Sequence, residues 1–274
     1  NELRLDLTGQ LHMPTKRIHP SFAATLATAI EGWVFRKADG LVFVSGVFRD
    51  RIVGAHKTVA PTIITPNAAN IDKFSYTPEQ RAQARTRWKL DNKVVCGYLG
   101  AFVPWHAIDK FVYAIADQLK QNPDLVLLLV GDGATYPEVD KFVKERGLSN
   151  QVIMTGRVPH DDVPGLLAAM DMAILPSAGD YTSPVKLFEF MACGIAPIAP
   201  NFLPIQEVLK EGQTGWTFTA GNLDRAVDMV LTKSRNIDEL KQVGQAARAY
   251  IAAERQWRNN VVQLVDFVMS LKRG

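Results

Sequence analysis

The chain has 274 residues, 47% of them hydrophobic and 22% charged, a globular balance that excludes a disordered or low-complexity polypeptide. Its 31 Lys and Arg residues against 28 Asp and Glu residues leave a net charge of +3, which does not by itself indicate nucleic-acid binding. Cys96 and Cys193 lie far apart in the sequence and suit a reducing compartment rather than a disulfide scaffold or a metal knuckle. The longest apolar runs fall far short of the ~20 residues that a membrane-spanning helix needs.

The N-terminal part of the chain predicts helices over residues 22–37 and 46–54 and strands over 41–44 and 62–64. A connection follows over residues 66–77, where Pro66 and Asn67 open a polar stretch. Residues 1–66 are too few for a complete α/β domain, so we expect them to be a partial N-terminal α/β segment. The chain does not begin with Met, and the sequence leaves open whether it is a fragment or a naturally short protein that works with a partner.

From residue 91 onward, short apolar strands alternate with amphipathic helices. The strands are predicted at 94–99, 125–130, 152–155, 172–175, 195–199 and 216–218, and the helices at 108–121, 137–146, 163–170, 184–192 and 237–271, with a break near 252–255. Continuous apolar strands separated by helices require a parallel sheet covered on both faces. The fold class is therefore α/β, with a doubly wound, Rossmann-like parallel sheet.

Glycines follow two of the predicted strands, where a sheet of this type gathers its ligands. Gly97 and Gly100 would let a phosphate approach the backbone, although a tight turn from strand to helix would use them equally. His106, shortly after them, is either a ligand contact or a solvated or packed histidine. Asp132, between two glycines, is either a turn residue or a ligand contact. The third glycine of a dinucleotide fingerprint and the lysine of a P-loop are both missing, which disfavours those two classes.

The segment at residues 180–189 is the most informative. Ser183 before Pro184 predicts a helix start, with the serine as N-cap. The helix then carries Lys186 in its first turn, where the macrodipole disfavours a cation by about 0.3–1 kcal/mol. An anion bound at the helix N-terminus would resolve this conflict, and Glu189 on the same face could accept hydrogen bonds from sugar hydroxyls. The alternative is an ordinary ion pair between Lys186 and Glu189 on the surface.

Other polar clusters carry weaker signals. His160, Asp161 and Asp162 could suggest a metal, but one of the two aspartates is expected to cap the following helix. No zinc motif, nucleophile elbow or paired-carboxylate arrangement can be assigned from spacing, so no metal site is predicted.

In this order and spacing, several motifs together resemble the retaining, GT-B-fold glycosyltransferases of family four, often called group one. The resemblance covers nearly the whole chain and is carried by Ala38-Asp39-Gly40 through Ser45, Pro66-Asn67 through Phe74, Gly100 through Ala107 (similar to the variant loop with Trp-His-Gly), Val130-Gly131-Asp132-Gly133, Thr155-Gly156-Arg157-Val158, Tyr181 through Gly194, and Gly212 with Gly215-Trp216.

This resemblance implies transfer of a sugar from a nucleoside-diphosphate sugar to a glycan or lipid-linked acceptor, with retention of anomeric configuration and no cofactor. It implies a remnant of the acceptor-side domain over residues 1–66, a donor-binding domain over 67–254 and a C-terminal helix over 255–274 that packs back on the N-terminal part. The residues implied in catalysis are Lys186, His106 and Glu189. Those implied in donor binding are Gly100, Ala101, Gly131, Arg157, Val158, Asp180, Tyr181, Thr182, Ser183, Pro184 and Val185.

The sequence departs from the family pattern at three positions. Ala101 stands where the glycine loop usually has Arg, and His106 stands where it usually has Lys. Tyr181 stands where the first of two paired glutamates is common. The diphosphate charge is therefore expected to be met by Lys186 and a protonated His106.

Two other functions stay open at this point. One is a non-catalytic module that binds a nucleotide sugar, and the other is a GT-B-fold epimerase, which would need Asp180 and Glu189 as an acid–base pair. The resemblance further implies a bacterial, cytoplasmic protein of polysaccharide biosynthesis. Contact with a membrane surface or a partner subunit is left open.

Overall fold

A computed structural model describes residues 22–271 of the chain. Its helices are α1 (Phe22–Lys37), α2 (Gly46–His56), α3 (Pro78–Arg87), α4 (Ile108–Gln121), α5 (Tyr136–Glu145), α6 (Val163–Leu167), α7 (Val185–Ala192), α8 (Leu203–Gln206), α9 (Leu223–Lys233), α10 (Ile237–Glu254) and α11 (Trp257–Leu271). Its strands are β1 (Leu41–Phe43), β2 (Thr62–Ile64), β3 (Val94–Leu99), β4 (Leu125–Val130), β5 (Val152–Met154), β6 (Met172–Ile174), β7 (Ala196–Pro200) and β8 (Trp216–Phe218).

The chain divides into two compact units, and the described part of the smaller one covers residues 22–65 and 262–271. Within it, β1 and β2 pair in parallel, with Leu41 opposite Thr62. A small core of Leu41, Phe43 and Ile52 lies beneath this pair. The helices and strands predicted for residues 22–64 are confirmed, and residues 1–21 lie outside the described residues.

The larger unit, Pro66–Val261, is built on a six-stranded parallel sheet in the order β5-β4-β3-β6-β7-β8. The chain runs outward from β3 through β4 to β5 and then returns to the other side of β3 with β6, so the winding direction reverses between β3 and β6. Two hydrophobic cores cover the two faces of the sheet. The predicted doubly wound fold is confirmed, and its ligand crevice is expected at the carboxyl ends of the strands near that reversal.

Three helices of the larger unit were not predicted, namely α3, α8 and α9. Helix α3 buries none of its residues, so its sequence has no apolar face from which the helix could be predicted. The available signal is the capping box, in which Thr77 Oγ1 accepts from Gln80 N at 3.2 Å and Gln80 Oε1 accepts from Thr77 N at 2.8 Å.

Asp162 occupies the N-cap position of α6, as predicted for one of the two aspartates, but its side chain makes no capping hydrogen bond. Residues His160–Asp162 form a 3₁₀ turn, and no side chain caps α6. Asp161 instead accepts a hydrogen bond from Lys73 Nζ at 2.7 Å, an exposed ion pair that lowers the pKa of its carboxyl group.

Helix α10 packs against the turn before β7 so closely that Gly244 has no room for a side chain. A Cβ at this position would lie 2.0 Å from the carbonyl oxygen of Gly194. We therefore expect Gly244→Ala to destabilise the protein by about 3 kcal/mol or more, because the obstacle is backbone. Chemical denaturation measures this. Gly165→Ala is the matched control, since a Cβ there meets no atom within 4 Å and a helical alanine should be neutral or stabilising.

Candidate functional site

A cleft of about 340 Å³ lies at the carboxyl ends of β3, β4 and β5, where the topology places the ligand crevice. Five of the residues predicted to bind a donor line it together, although they come from three separate loops. Its lining consists of Leu99, Gly100, Ala101, Val130, Gly131, Asp132, Gly133, Arg157, Val158 and Val163.

Two of the three glycines that line this cleft, Gly100 and Gly131, are required for close approach. Gly131 has φ of 132°, and a Cβ there would lie 2.0 Å from the carbonyl oxygen of Gly100. Gly100 has φ of 151°, and a Cβ there would lie 2.5 Å from Lys186 Nζ. The N–H of Gly100 donates to Val130 O at 3.0 Å, so it is not free for a ligand. Gly100 thus contributes the space in which the lysine ammonium lies, beside a residue that lines the cleft.

Two side chains, those of Tyr98 and His106, hold the turn after β3 through hydrogen bonds to one backbone carbonyl. Tyr98 is 1% exposed, and its hydroxyl donates to Ala101 O at 2.8 Å. His106 Nδ1 lies 2.8 Å from the same carbonyl oxygen, and 3.3 Å from Tyr98 Oη. Tyr98 was not singled out from the sequence, because a tyrosine in an apolar strand has the pattern of an ordinary core residue.

Burial lowers the pKa of His106, and the nearby Lys186 ammonium lowers it further, while the hydrogen bond to Ala101 acts in the opposite direction. A carbonyl oxygen can only accept, so the Nδ1 atom that faces Ala101 carries the hydrogen. In the ligand-free protein His106 is therefore favoured in its neutral form. The expectation of a protonated His106 that shares the diphosphate charge is corrected for this state, and Lys186 is left as the cation.

The ammonium group of Lys186 has no hydrogen bond or ion pair within residues 22–271. It lies over the ring of Tyr98, with 5.4 Å between Nζ and the ring centroid. Burial lowers its pKa to about 8, and only the Coulombic attraction of Glu189 acts the other way. A desolvated cation without a partner is costly, and it is the arrangement expected where an anion binds.

Helix α7 begins at Val185, with Pro184 in the N-cap position, so the prediction that Ser183 is the N-cap is wrong. No side chain caps this end of the helix. Its first N–H groups and the positive end of its dipole therefore add to the charge of Lys186. The residues predicted just before the helix, Asp180, Tyr181 and Thr182, lie in the loop that leads to it.

Glu189 is only 8% exposed and forms no hydrogen bond or ion pair with any described side chain. Burial raises its pKa, while the charges of His160, Lys186 and Lys73 lower it. The alternative of a surface ion pair between Lys186 and Glu189 is thereby excluded. A buried carboxylate that accepts no hydrogen bond from residues 22–271 has its acceptor capacity available for a ligand's hydroxyl groups.

The remaining polar residues singled out from the sequence are not part of this cleft's binding chemistry, or form no site at all. Asp132 Oδ1 accepts from Gly133 N at 2.7 Å, as expected of a turn residue. No group of three or more potential metal ligands occurs among residues 22–271, and no helix in that range is long and apolar enough to cross a membrane. The ring of His160 packs against that of Phe74, with 5.9 Å between the ring centroids, and the His160 side chain lies near enough to Glu189 to lower the pKa of that carboxyl group. The sequence did not predict that His160 lies near Glu189, because its neighbours Asp161 and Asp162 suggested a helix cap.

A doubly wound sheet with glycines, an unpartnered lysine and a buried glutamate at its carboxyl edge defines a class of proteins that bind nucleotides or other phosphate-bearing ligands at that edge. Residues 80–250 match the family model described as Glycosyl transferases group 1. The chain belongs to this family.

Similar proteins agree with this assignment. The chain is 26% identical over 236 residues, or 84% of its length, to a GDP-mannose-dependent alpha-(1-6)-phosphatidylinositol monomannoside mannosyltransferase of Mycobacterium tuberculosis. It is 23% identical over 192 residues, or 69% of its length, to the alpha-D-kanosaminyltransferase of Streptomyces kanamyceticus. The chain spans 61% and 50% of these two relatives.

Among solved structures, the chain superposes on Anabaena HepE in complex with UDP with a TM-score of 0.79 and 21% identity, covering 91% of this chain and 68% of HepE. A HepE complex with UDP-glucose gives a TM-score of 0.77 with the same identity and coverage. At this identity the likeness concerns the fold, which is that of the GT-B glycosyltransferases.

Proposed function

We propose that this chain carries the donor site of a retaining glycosyltransferase, which transfers a sugar from a nucleoside-diphosphate sugar to a glycan or lipid-linked acceptor. The observation that carries the proposal is the unpartnered Lys186 ammonium, held over Gly100 beside the uncapped start of α7. Relatives that use GDP-mannose or are solved with UDP-glucose support a nucleotide sugar as the donor class.

The proposed donor lies along the cleft with its diphosphate at Gly100, Ala101 and the α7 start. The base contacts the backbone of Arg157 and Val158, and the ribose hydroxyls donate to Glu189. During transfer the bond between the anomeric carbon and the diphosphate oxygen breaks, and a bond to the acceptor oxygen forms as that hydroxyl passes its proton to the departing diphosphate. Lys186 and the helix N–H groups stabilise the charge that develops on the leaving diphosphate.

Neutral His106, with Nδ1 committed to Ala101, presents Nε2 as an acceptor. In the proposed complex it holds a hydroxyl of the donor sugar instead of neutralising phosphate. No cofactor or metal takes part in the proposal. We propose that the acceptor is bound by the N-terminal domain of the GT-B fold.

Thermal unfolding of this chain with UDP, GDP, dTDP and ADP, each with Mg²⁺ and with EDTA, tests the donor site directly. A ligand at about 100 times its dissociation constant adds roughly 2.7 kcal/mol to the free energy of unfolding. A raised midpoint with one of the four supports the proposal and names the base. The absence of a shift with all four would refute a donor site that works in this chain. Inversion at a sugar carbon without any transfer would favour the epimerase instead.

We expect diphosphate affinity to fall as pH rises through about 8, the pKa to which burial lowers Lys186. The sign follows from charge: below that pH the ammonium is cationic and attracts the diphosphate, and above it the amine is neutral. Well above the pKa, affinity should fall about tenfold per pH unit. Calorimetric titrations from pH 6.5 to 9.5 measure this. Lys186→Ala should lose the dependence, and an equal dependence in that variant would assign it to another group.

A further inference from the structure

The connection that opens the larger unit is hydrogen-bonded to the loop before α7, 116 residues away in the sequence. Asn67 N donates to Ser183 Oγ at 3.2 Å, and Asn67 Nδ2 donates to Ser183 O at 2.5 Å. Ser183 lies two residues before the first residue of α7 and three before Lys186. One asparagine thus holds both the side chain and the backbone of the loop that leads into the proposed diphosphate site.

The segment around Asn67 is itself held in place by hydrogen bonds and by burial. Asn260 Nδ2 donates to Pro66 O at 2.7 Å, and Ala69 N donates to Arg255 O at 3.1 Å. Ala68 is fully buried and Ala69 is 1% exposed. The loop before α7 is therefore hydrogen-bonded to a buried and well-packed segment of the larger unit, and not to an exposed linker.

The Ser183 hydroxyl is directed towards Asn67 and does not cap α7. A serine next to a helix start ordinarily accepts a hydrogen bond from the first turn, as the sequence predicts for Ser183. Here its hydroxyl already accepts the N–H of Asn67, and no side chain caps the helix. The N–H of Leu187 donates to Pro184 O at 3.0 Å, so the N–H groups of Val185 and Lys186 are the ones left available for a ligand.

We infer that Asn67 is a positioning residue for the donor diphosphate, whose side chain holds the Ser183 carbonyl and sets the loop that presents Lys186. This inference rests on the proposed donor site and adds to it a residue that does not touch the ligand. The Asn67 side chain acts through one hydrogen bond to a backbone carbonyl, so its loss should weaken diphosphate binding without preventing folding.

The test compares wild type, Asn67→Ala and Asn67→Asp by calorimetric titration with UDP, GDP, dTDP and ADP. Asn67→Ala should weaken binding of the nucleotide that wild type prefers roughly three- to tenfold, as expected for one lost hydrogen bond. Asn67→Asp keeps the size of the side chain but replaces the donor with a carboxylate, and it should bind no better than Asn67→Ala. Wild-type affinity in Asn67→Ala would overturn the inference.

Two measurements separate positioning from simple destabilisation. Asn122→Ala is the matched control, because Asn122 Nδ2 also donates to a backbone carbonyl, that of Gln118, at 2.8 Å but at the opposite edge of the sheet. It should lower the unfolding midpoint as Asn67→Ala does, yet leave affinity unchanged. In the double variant Asn67→Ala/Lys186→Ala, the Asn67 effect on residual binding should disappear, whereas full additivity would overturn the inference. If wild type itself binds none of the four nucleotides, the proposed donor site fails, and the inference falls with it.

Discussion

Replacing Lys186 with alanine should weaken diphosphate binding at least about 100-fold, the largest effect expected of any single side chain in the site. Truncating one partner of a desolvated charge pair costs about 2–5 kcal/mol, and 2.7 kcal/mol corresponds to a factor of 100. The ligand-free protein should be no less stable, because the variant removes a desolvated charge that has no partner. Titration with inorganic pyrophosphate and with UDP, GDP, dTDP and ADP measures the effect.

Lys210→Ala is the control for this experiment. Lys210 also lies over a tyrosine ring, with 5.8 Å from Nζ to the centroid of Tyr250, but it is outside the cleft. Its replacement removes a lysine–tyrosine contact of the same type and should leave nucleotide affinity unchanged. Equal losses in the two variants would mean that Lys186 acts through general charge rather than direct contact, which would contradict the proposed diphosphate site.

Glu189→Gln should weaken nucleoside-diphosphate binding roughly 30- to 100-fold while leaving pyrophosphate binding unchanged or slightly tighter. A carboxylate that accepts two hydroxyl groups contributes about 1.5–3 kcal/mol per bond, and an amide keeps a single acceptor oxygen. Pyrophosphate has no ribose, so it gains from the loss of a nearby negative charge. The same titrations measure both effects and assign Lys186 to the phosphates and Glu189 to the ribose.

The ligand-free Glu189→Gln protein should unfold at a higher temperature than wild type. The buried carboxylate has a raised pKa because desolvation disfavours its charge, and glutamine removes that cost. Higher stability together with lower affinity is typical of a group retained for binding. Lower stability with unchanged affinity would contradict the ribose role and indicate a purely structural glutamate.

Much of the fold could be predicted from hydrophobic pattern alone. The fully apolar run at Leu125–Val130 and its neighbours have the composition of strands buried on both faces, and the structure places them in one parallel sheet. Helix α3 could not be found in this way, because a helix without a buried face leaves no periodicity in the sequence. The glycines of the cleft could be predicted because a strand-to-helix turn that a ligand approaches closely leaves no room for a side chain, which restricts these positions to glycine.

The sequence by itself determined the α/β class, the order of the strands along the chain and the group of residues at the carboxyl edge of the sheet. The tertiary structure alone decided the charge states, because desolvation depends on everything packed around a group. It left Lys186 and Glu189 without an ion pair between them, favoured neutral His106 and lowered the pKa of Lys186 to about 8. It also joined Asn67 to Ser183, since a hydrogen bond across 116 residues follows from the packing of distant segments and leaves no periodic signal in either.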